Sequence, residues 1–205
     1  MENEKSTKFI KKKRKKIRRM KIAIFCGASL GNHPLYEQKS LELADWMAAE
    51  GHDLVFGGGK VGLMGVMADR IMAHGRVAIG VIPTFLKERE IAHSGLTDLI
   101  VVADMHQRKA KMMELSQAFI ALPGGPGTLE EISEVISWSR VGQNDGPCIL
   151  YNVNGYYEPL KDLFDQMVGQ GFLSQADRDK VLFSDDLGEI AHFIQTYQAP
   201  AIRRN

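Results

Sequence analysis

The sequence lacks the marks of several protein classes. Only two cysteines, Cys26 and Cys148, occur in 205 residues, and both lie in short apolar runs, so no disulfide framework is expected and a reducing compartment fits. No apolar run approaches the roughly 18 residues of a membrane-spanning helix, and the N-terminus has no apolar segment of a secretory signal. The histidines show no spacing typical of metal ligands. We therefore expect a cytoplasmic protein with no membrane span and no bound metal.

Two nucleotide-binding motifs are missing where they would be expected. The glycines of GASLG (27–31), which follow the first apolar run, do not have the G-x-G-x-x-G spacing of dinucleotide-binding proteins. No G-x-x-x-x-G-K-[ST] loop is present. These absences argue against ordinary NAD binding and against a P-loop NTPase.

The charges are unevenly distributed along the chain. The net charge is only +1, but residues 1–20, MENEKSTKFIKKKRKKIRRM, are strongly basic, so the remainder is acidic. Such a tail is typical of segments that bind nucleic acid or an anionic membrane. It is equally typical of a disordered extension, or of an upstream start codon on a protein that begins at Met20. Nothing in the body resembles a nucleic-acid module. We expect a disordered extension over 1–20, one folded domain over 21–200, and no nucleic-acid or membrane partner.

From Lys21 onward the pattern alternates between strand and helix. Apolar runs at 21–27, 53–59, 76–83, 99–103, 118–125 and 147–152 predict strands, and amphipathic stretches at 34–51, 63–75, from about 104, 128–142, 157–171 and 186–197 predict helices. A loop is expected over 87–98. The strands show little polar alternation, which indicates burial on both faces of a parallel sheet. The sequence therefore predicts an α/β fold with a single doubly wound, Rossmann-like domain.

Three predicted strands end in glycine-rich loops. These are FCGASLG (25–31), FGGGKVGLMG (56–65) and LPGGPGTLEE (122–131). In a parallel sheet the three loops meet at one edge, where ligands bind near a topological switch point. Glycine lets backbone N–H groups approach an anion, and the start of the following helix favours negative charge. We therefore expect a nucleotide or phosphosugar site, with Thr128 at or near a helix N-cap.

Charged residues flank the third loop and begin an earlier helix. Glu130 and Glu131 are expected in the first turn of a helix, where adjacent side chains point about 100° apart, so only one of them faces a ligand at a time. Arg108 and Lys109 begin another helix, where cations are locally unfavourable, which indicates a task other than capping. Glu90 is a third charged candidate.

The motifs FCGAS (25–29), GGGKVGLMG (57–65), ADMHQRKAKM (103–112) and PGGPGTLEE (123–131) together resemble those of the Lonely Guy family. The resemblance runs from about Met20 to about Pro200. Members are cytokinin riboside 5′-monophosphate phosphoribohydrolases, often mislabelled as lysine decarboxylases. The resemblance implies hydrolysis of the N-glycosidic bond of AMP or an N6-modified AMP to a free base and ribose 5-phosphate. It also implies no metal or organic cofactor, and a homodimer with its site completed near the dimer interface.

The resemblance also assigns site residues. The catalytic arginine and glutamate fall on Arg108 and Glu131. Ligand-contacting or neighbouring positions fall on Glu90, Lys109, Gly124, Gly125, Gly127, Thr128, Glu130, Ser29, Gly27, Gly58, Met64 and Ser137. The chain departs from the family pattern at Pro126, which removes one N–H from the loop, and at Ser137, where a threonine is common.

The expected chemistry follows from these residue types. Breaking a C1′–N9 bond develops positive charge on the ribose, which a carboxylate such as Glu131 stabilises while it orients water. Arg108 either assists the departing base or anchors the phosphate. Two alternatives remain open: a non-catalytic nucleotide or molybdenum-cofactor carrier of similar fold, and an amino-acid decarboxylase in which Lys109 or Lys60 forms a Schiff base.

Overall fold

The computed structural model describes residues 19–89 and 92–202. Of the basic extension predicted over residues 1–20, only residues 19 and 20 lie within these ranges. Glu90 lies outside them. Within the described ranges no helix is both long and apolar enough to cross a membrane.

The strands of the described residues are β1 (Lys21–Phe25), β2 (Asp53–Phe56), β3 (Ala78–Pro83), β4 (Asp98–Val102), β5 (Ala118–Ala121), β6 (Cys148–Tyr151) and β7 (Val181–Ser184). These seven strands form one parallel sheet in the order β4-β3-β2-β1-β5-β6-β7. The order reverses between β1 and β5, so their carboxyl ends form the switch point at which such sheets bind ligands.

Helices cover both faces of the sheet. They are α1 (Pro34–Glu50), α2 (Gly62–Ala73), α3 (Thr84–Arg89), α4 (Met105–Leu115), α5 (Pro126–Arg140), α6 (Glu158–Gly169), α7 (Gln175–Arg178) and α8 (Leu187–Thr196). Side chains of α1, α2 and α8 share one core cluster with Ile22 and Ile24 of β1. Side chains of α4, α5 and α6 pack in a second cluster with Ala23 and Phe25. Alternate residues of one strand therefore serve two cores, and the predicted doubly wound α/β sheet is confirmed.

The structure corrects several predicted boundaries. Residues 87–89 lie in α3 and not in a loop, and β7 is not among the predicted strands. Strands β2 and β5 end at Phe56 and Ala121, before the glycines that were predicted to belong to them. Helix α5 begins at Pro126, two residues before the predicted start.

Candidate active site

The three glycine-rich loops meet at the carboxyl edge of the sheet, as predicted, around a cavity of about 250 Å³. Residues from all three loops and from α4 and α5 line it. The lining comprises Ile24, Phe25, Cys26, Gly27, Ala28, Gly57, Met64, Met105, Arg108, Gly125, Gly127, Thr128, Glu130 and Glu131. We call this space the catalytic cavity.

A second cavity of about 410 Å³ adjoins the first. The two share Gly27, Ala28 and Gly125, so these residues form the boundary between them. The second cavity is also lined by Ser29, Leu30, Gly31, Tyr36, Leu63, Pro123, Gly124 and Tyr156. The loops after β1 and β5 therefore have one cavity on each side.

The start of α5 presents unpaired backbone donors to the catalytic cavity. Gly125 is the N-cap residue and makes no side-chain cap, and the first intrahelical bond runs from the N–H of Leu129 to the carbonyl of Gly125 at 3.2 Å. The N–H groups of Gly127 and Thr128 therefore have no intrahelical acceptor. Pro126 occupies the first helical position, where the N–H would lack an intrahelical acceptor anyway.

Thr128 lies near the helix N-cap, as predicted, but does not itself cap the helix. It is the third residue of α5, after the N-cap Gly125, and it is buried. A methyl group on Gly124 would overlap the Thr128 hydroxyl and lie 2.9 Å from the Gly27 nitrogen. The loops after β1 and β5 therefore approach this closely only because position 124 has no side chain.

Arg108 lies at the inner end of the catalytic cavity with 7% of its surface exposed. Its Nε donates to the Val81 carbonyl at 3.1 Å and its Nη2 to the Gly57 carbonyl at 3.0 Å, while Nη1 lies 3.7 Å from Met105 Sδ. A methyl group on Gly57 would overlap Nη2. The backbone thus fixes the guanidinium group on the β2–β3 side of the cavity and leaves part of its five-donor set for a ligand.

Glu131 is the partly buried acid of the site. Burial raises its pKa to about 7; the Arg108 and Lys109 charges oppose this rise, and Glu130 and Glu134 add to it. A carboxyl group that titrates near neutral pH inside a cavity is suited to exchange protons with water or a substrate.

Lys109 joins α4 to α5 through two glutamates. Its Nζ donates to Glu130 in a close ion pair and lies 2.8 Å from Glu134 Oε2. Burial alone would lower the pKa of Lys109, but the bonds to Glu130 and Glu134 outweigh it and raise the pKa. Lys109 is not among the residues that line either cavity. Its structural role is to hold the helix that carries Glu131.

The adjacent glutamates have different environments. Glu130 is exposed and paired with Lys109, whereas Glu131 is partly buried beside Arg108. Both line the catalytic cavity. Both also lie beyond the first turn of α5, because the helix begins at Pro126. The helix start therefore does not account for an acid at position 131.

The remaining predicted residues are dispersed. Ser29 lines the second cavity and its Oγ accepts the Gly31 N–H at 3.3 Å. Met64 and Gly27 line the catalytic cavity. Gly58 has a φ of 79° and lines neither cavity, and Ser137 is exposed on α5 away from both. Glu90 lies outside the described residues.

Residues 27–31, GASLG, also have the G-x-S-x-G spacing of a serine-hydrolase elbow. No histidine is among the described residues that line the two cavities. A serine nucleophile therefore lacks the base that it needs. Across residues 19–89 and 92–202, no three His, Cys, Asp or Glu side chains are grouped to hold a metal ion.

Several residues of the site were not predicted from the sequence. Gly57 was missed because nothing in a run of three glycines shows which one faces Arg108. Glu134 was missed because its contact with Lys109 joins two helices. Cys26 lines the cavity as an inert thiol, because burial raises its pKa far above neutrality.

The chain is similar to one known family and to named plant proteins. Residues 64–194 match the family model described as "Possible lysine decarboxylase". The chain is 43% identical over 177 residues to a rice protein (Oryza sativa subsp. japonica) named probable cytokinin riboside 5′-monophosphate phosphoribohydrolase, covering 86% of this chain and 72% of that protein. It is 44% identical over 177 residues to an Arabidopsis thaliana cytokinin riboside 5′-monophosphate phosphoribohydrolase, covering 86% and 83%.

Solved structures share the fold at lower identity. A molybdenum cofactor carrier protein from Chlamydomonas reinhardtii aligns with a TM-score of 0.65 at 20% identity, over 87% of this chain and 98% of that one. A molybdenum cofactor binding protein from Rippkaea orientalis aligns with a TM-score of 0.62 at 19% identity, over 88% and 98%. At such identities the likeness shows the fold alone. The identities to the plant proteins and the family model show that the chain belongs to the Lonely Guy family of cytokinin riboside 5′-monophosphate phosphoribohydrolases.

Proposed function

We propose that the protein hydrolyses the N-glycosidic bond of AMP, or of AMP with an N6 substituent, and releases the base and ribose 5-phosphate. One observation carries this proposal: a single cavity holds the Glu131 carboxyl group, the Arg108 guanidinium group and the free N–H groups at the start of α5. The relatives named as phosphoribohydrolases support the same reaction class.

The helix start is the proposed phosphate site. The N–H groups of Gly127 and Thr128 and the positive end of the α5 dipole attract an anion. Because these backbone groups bind the phosphate without a lysine or arginine side chain, Arg108 is free to contact another part of the substrate. The phosphate contacts hold the nucleotide in the catalytic cavity in the ground state and in the transition state alike, so they contribute to its affinity and to kcat/KM.

Glu131 is the proposed catalytic carboxylate. As the C1′–N9 bond breaks, its electron pair moves to the base and positive charge develops on the ribose, which a nearby carboxylate stabilises. Water then forms the new bond to C1′ and loses a proton, which Glu131 accepts. The departing base takes up one proton, so the number of protons balances over the reaction. A pKa of about 7 allows both the release and the uptake of that proton near neutral pH.

Arg108 is the proposed partner of the leaving base. It is bound to carbonyls of Val81 and Gly57, on the β2–β3 side of the cavity, whereas α5 and its anion site follow β5. This separation favours stabilisation of negative charge on the base over phosphate binding.

The decarboxylase interpretation fits the structure poorly. A lysine that forms a Schiff base must be available as the neutral amine, which a lowered pKa provides. Lys109 has a raised pKa and pairs with two glutamates. The carrier interpretation does not account for Glu131 and Arg108 in one cavity.

Incubation of the purified protein with AMP, followed by chromatography, tests the proposed function. We expect equal amounts of adenine and ribose 5-phosphate, and a panel of N6-substituted monophosphates then identifies the preferred base. Wild-type protein that leaves the whole panel intact would contradict the proposal.

We further propose a homodimer in the cytoplasm. Leu129, Trp138 and Val141 are exposed large hydrophobics on α5 or at its end, with Val141 56% exposed, and such positions are often covered by a partner. The buried free thiols of Cys26 and Cys148 suit a reducing compartment. Sedimentation of the wild type and of Trp138→Asp tests the dimer: wild type is expected to sediment as a dimer and the variant as a monomer.

A further inference from the structure

The chain that follows β6 forms a rigid turn beside the phosphate loop. Residues Val153–Gly155 make a 3-10 turn, in which Asn154 has a φ of 54°, a left-handed conformation that asparagine tolerates better than most residues. Asn152 fixes the turn from inside: its Nδ2 donates to Glu158 at 2.6 Å, and its Oδ1 accepts the Tyr157 N–H at 2.7 Å. The turn therefore directs two consecutive tyrosines back toward β5.

Both tyrosines donate to carbonyls of the loop after β5. Tyr156 Oη donates to the Gly124 carbonyl at 2.6 Å, and Tyr157 Oη donates to the Leu122 carbonyl at 2.7 Å. The contacts join residues more than thirty positions apart in the chain. Tyr156 lines the second cavity, whereas Tyr157 is 4% exposed in the core.

The two contacts differ in what they orient. A peptide unit is rigid and planar with its C=O and N–H pointing in opposite directions. A bond to the Gly124 carbonyl therefore turns the N–H of Gly125 away from Tyr156. A bond to the Leu122 carbonyl orients no donor, because the next residue is Pro123. No backbone acceptor for the Gly125 N–H exists among the described residues.

We propose that Tyr156 is a positioning residue for the proposed reaction: its hydroxyl holds the Gly124–Gly125 peptide so that the Gly125 N–H donates to the 5′-phosphate. The Gly125 N–H then completes a three-donor set with the N–H groups of Gly127 and Thr128 at the start of α5. This inference rests on the proposed function for its substrate, while the geometry of the loop stands by itself.

The Tyr156 ring is held independently of its hydroxyl. It packs edge-to-face against Tyr36 and Tyr157, with ring centroids 6.0 and 5.0 Å apart. Tyr156→Phe therefore removes the bond to Gly124 and keeps the ring packing. Tyr157→Phe is the matched control. It also removes one hydroxyl bonded to a loop carbonyl, but the peptide that it releases carries no N–H that could bind phosphate.

Product inhibition separates the phosphate site from the base site. With AMP as substrate, Tyr156→Phe should raise the KM and the inhibition constant of ribose 5-phosphate about three- to tenfold, which corresponds to about 0.65–1.4 kcal/mol, the contribution of one hydrogen bond. The inhibition constant of adenine and kcat should stay within about twofold, because the base and Glu131 are not touched. Tyr157→Phe should lower the unfolding temperature and leave the inhibition constant of ribose 5-phosphate unchanged.

Three results would overturn the role of Tyr156. The first is an inhibition constant of ribose 5-phosphate that Tyr156→Phe leaves unchanged. The second is an equal rise in the inhibition constants of ribose 5-phosphate and adenine in Tyr156→Phe. The third is an equal rise in the inhibition constant of ribose 5-phosphate in Tyr157→Phe. Direct calorimetry of ribose 5-phosphate binding keeps this test separate from the proposed reaction. A wild type that binds ribose 5-phosphate but never cleaves AMP contradicts the reaction, while weaker binding by Tyr156→Phe alone still supports the positioning role.

Discussion

The two sides of the catalytic cavity are built in different ways. One side, the glycine side, consists of Gly27, Ala28, Gly125, Gly127 and Thr128 and offers the free backbone N–H groups at the start of α5. The other, the charged side, consists of Arg108, Glu130 and Glu131, with Lys109 and Glu134 behind them. Backbone groups cannot titrate, whereas Glu131 titrates near neutral pH. The difference indicates binding on the first side and chemistry on the second.

The two sides also respond differently to substitution. Glycines that bring loops together, such as Gly124, have no room for a methyl group, whereas Gly125 and Gly127 have open space beside them. On the charged side, two carbonyls hold Arg108 and two glutamates hold Lys109. Substitutions that displace Arg108 or neutralise Glu131 should therefore change kcat, and changes to the phosphate or its donors should change binding.

The largest effect is expected for Glu131→Gln. The variant keeps the shape of the side chain but cannot accept a proton, so kcat for AMP should fall about 10²–10⁴-fold while AMP still binds. Glu130→Gln is the matched control and should lose far less, because that carboxylate is exposed and paired with Lys109. Similar losses in the two variants would break the distinction between the adjacent acids.

Thermal unfolding shows whether Glu131→Gln remains folded. The pKa of Glu131 is raised in the folded state, so the stability it contributes is present below its unfolded pKa and is lost as pH rises through about 7. Removal of the charge should therefore leave the variant at least as stable as wild type at pH 8. A lower unfolding temperature at that pH would indicate a structural role for the carboxylate.

The next largest effect is expected from removing the phosphate of the substrate. Adenosine should have a kcat/KM about 100-fold or more below that of AMP, because two hydrogen bonds to a charged group contribute about 1.5–3 kcal/mol each. Parallel assays of the two compounds measure this ratio. Equal rates would show that the glycine side does not bind phosphate.

A smaller effect is expected for Gly57→Ala. The added methyl group overlaps Arg108 Nη2 and lies 3.3 Å from Met64 Sδ, so the guanidinium group must move. A displacement of about 1 Å can cost about 10²-fold in rate, and we expect a loss of roughly 10- to 100-fold in kcat. Gly169→Ala, at a position with open space, is the control and should retain full activity. Wild-type rates in Gly57→Ala would remove Arg108 from the mechanism.

The smallest effect is expected in the pH profile. The ionised form of Glu131 predominates above pH 7, so kcat/KM should rise with pH through about 7. Lys109→Met removes a charge that lowers the pKa of Glu131, which should move this rise to higher pH by less than about one unit because of screening. Lys111→Met, which removes only an ion pair with Glu114 on the same helix, should not move it. A shift to lower pH in Lys109→Met would contradict the assigned electrostatics.

Local patterns in the sequence predicted the glycine side well. Parallel strands place their carboxyl ends at one edge, so the convergence of the loops after β1, β2 and β5 follows from the strand–helix alternation. The start of α5 was misplaced by two residues because Thr128 is a good capping residue. The better signal is Pro126, which is common at the first position of a helix.

Contacts between distant elements are not encoded in local patterns. The Tyr156 hydroxyl reaches Gly124 from the turn after β6, and Glu134 meets Lys109 from another helix. The strand β7, VLFS, is only four residues long and is bounded by charged residues, so its pattern is weak. These features depend on packing that the complete sheet determines.

A crystal structure of Glu131→Gln with AMP bound tests the central claim most directly. We predict phosphate oxygens about 3 Å from the N–H groups of Gly127 and Thr128, with the ribose C1′ beside the side chain at position 131. AMP bound with its phosphate away from the start of α5, or with C1′ remote from position 131, would contradict the division of the cavity into a binding side and a chemical side.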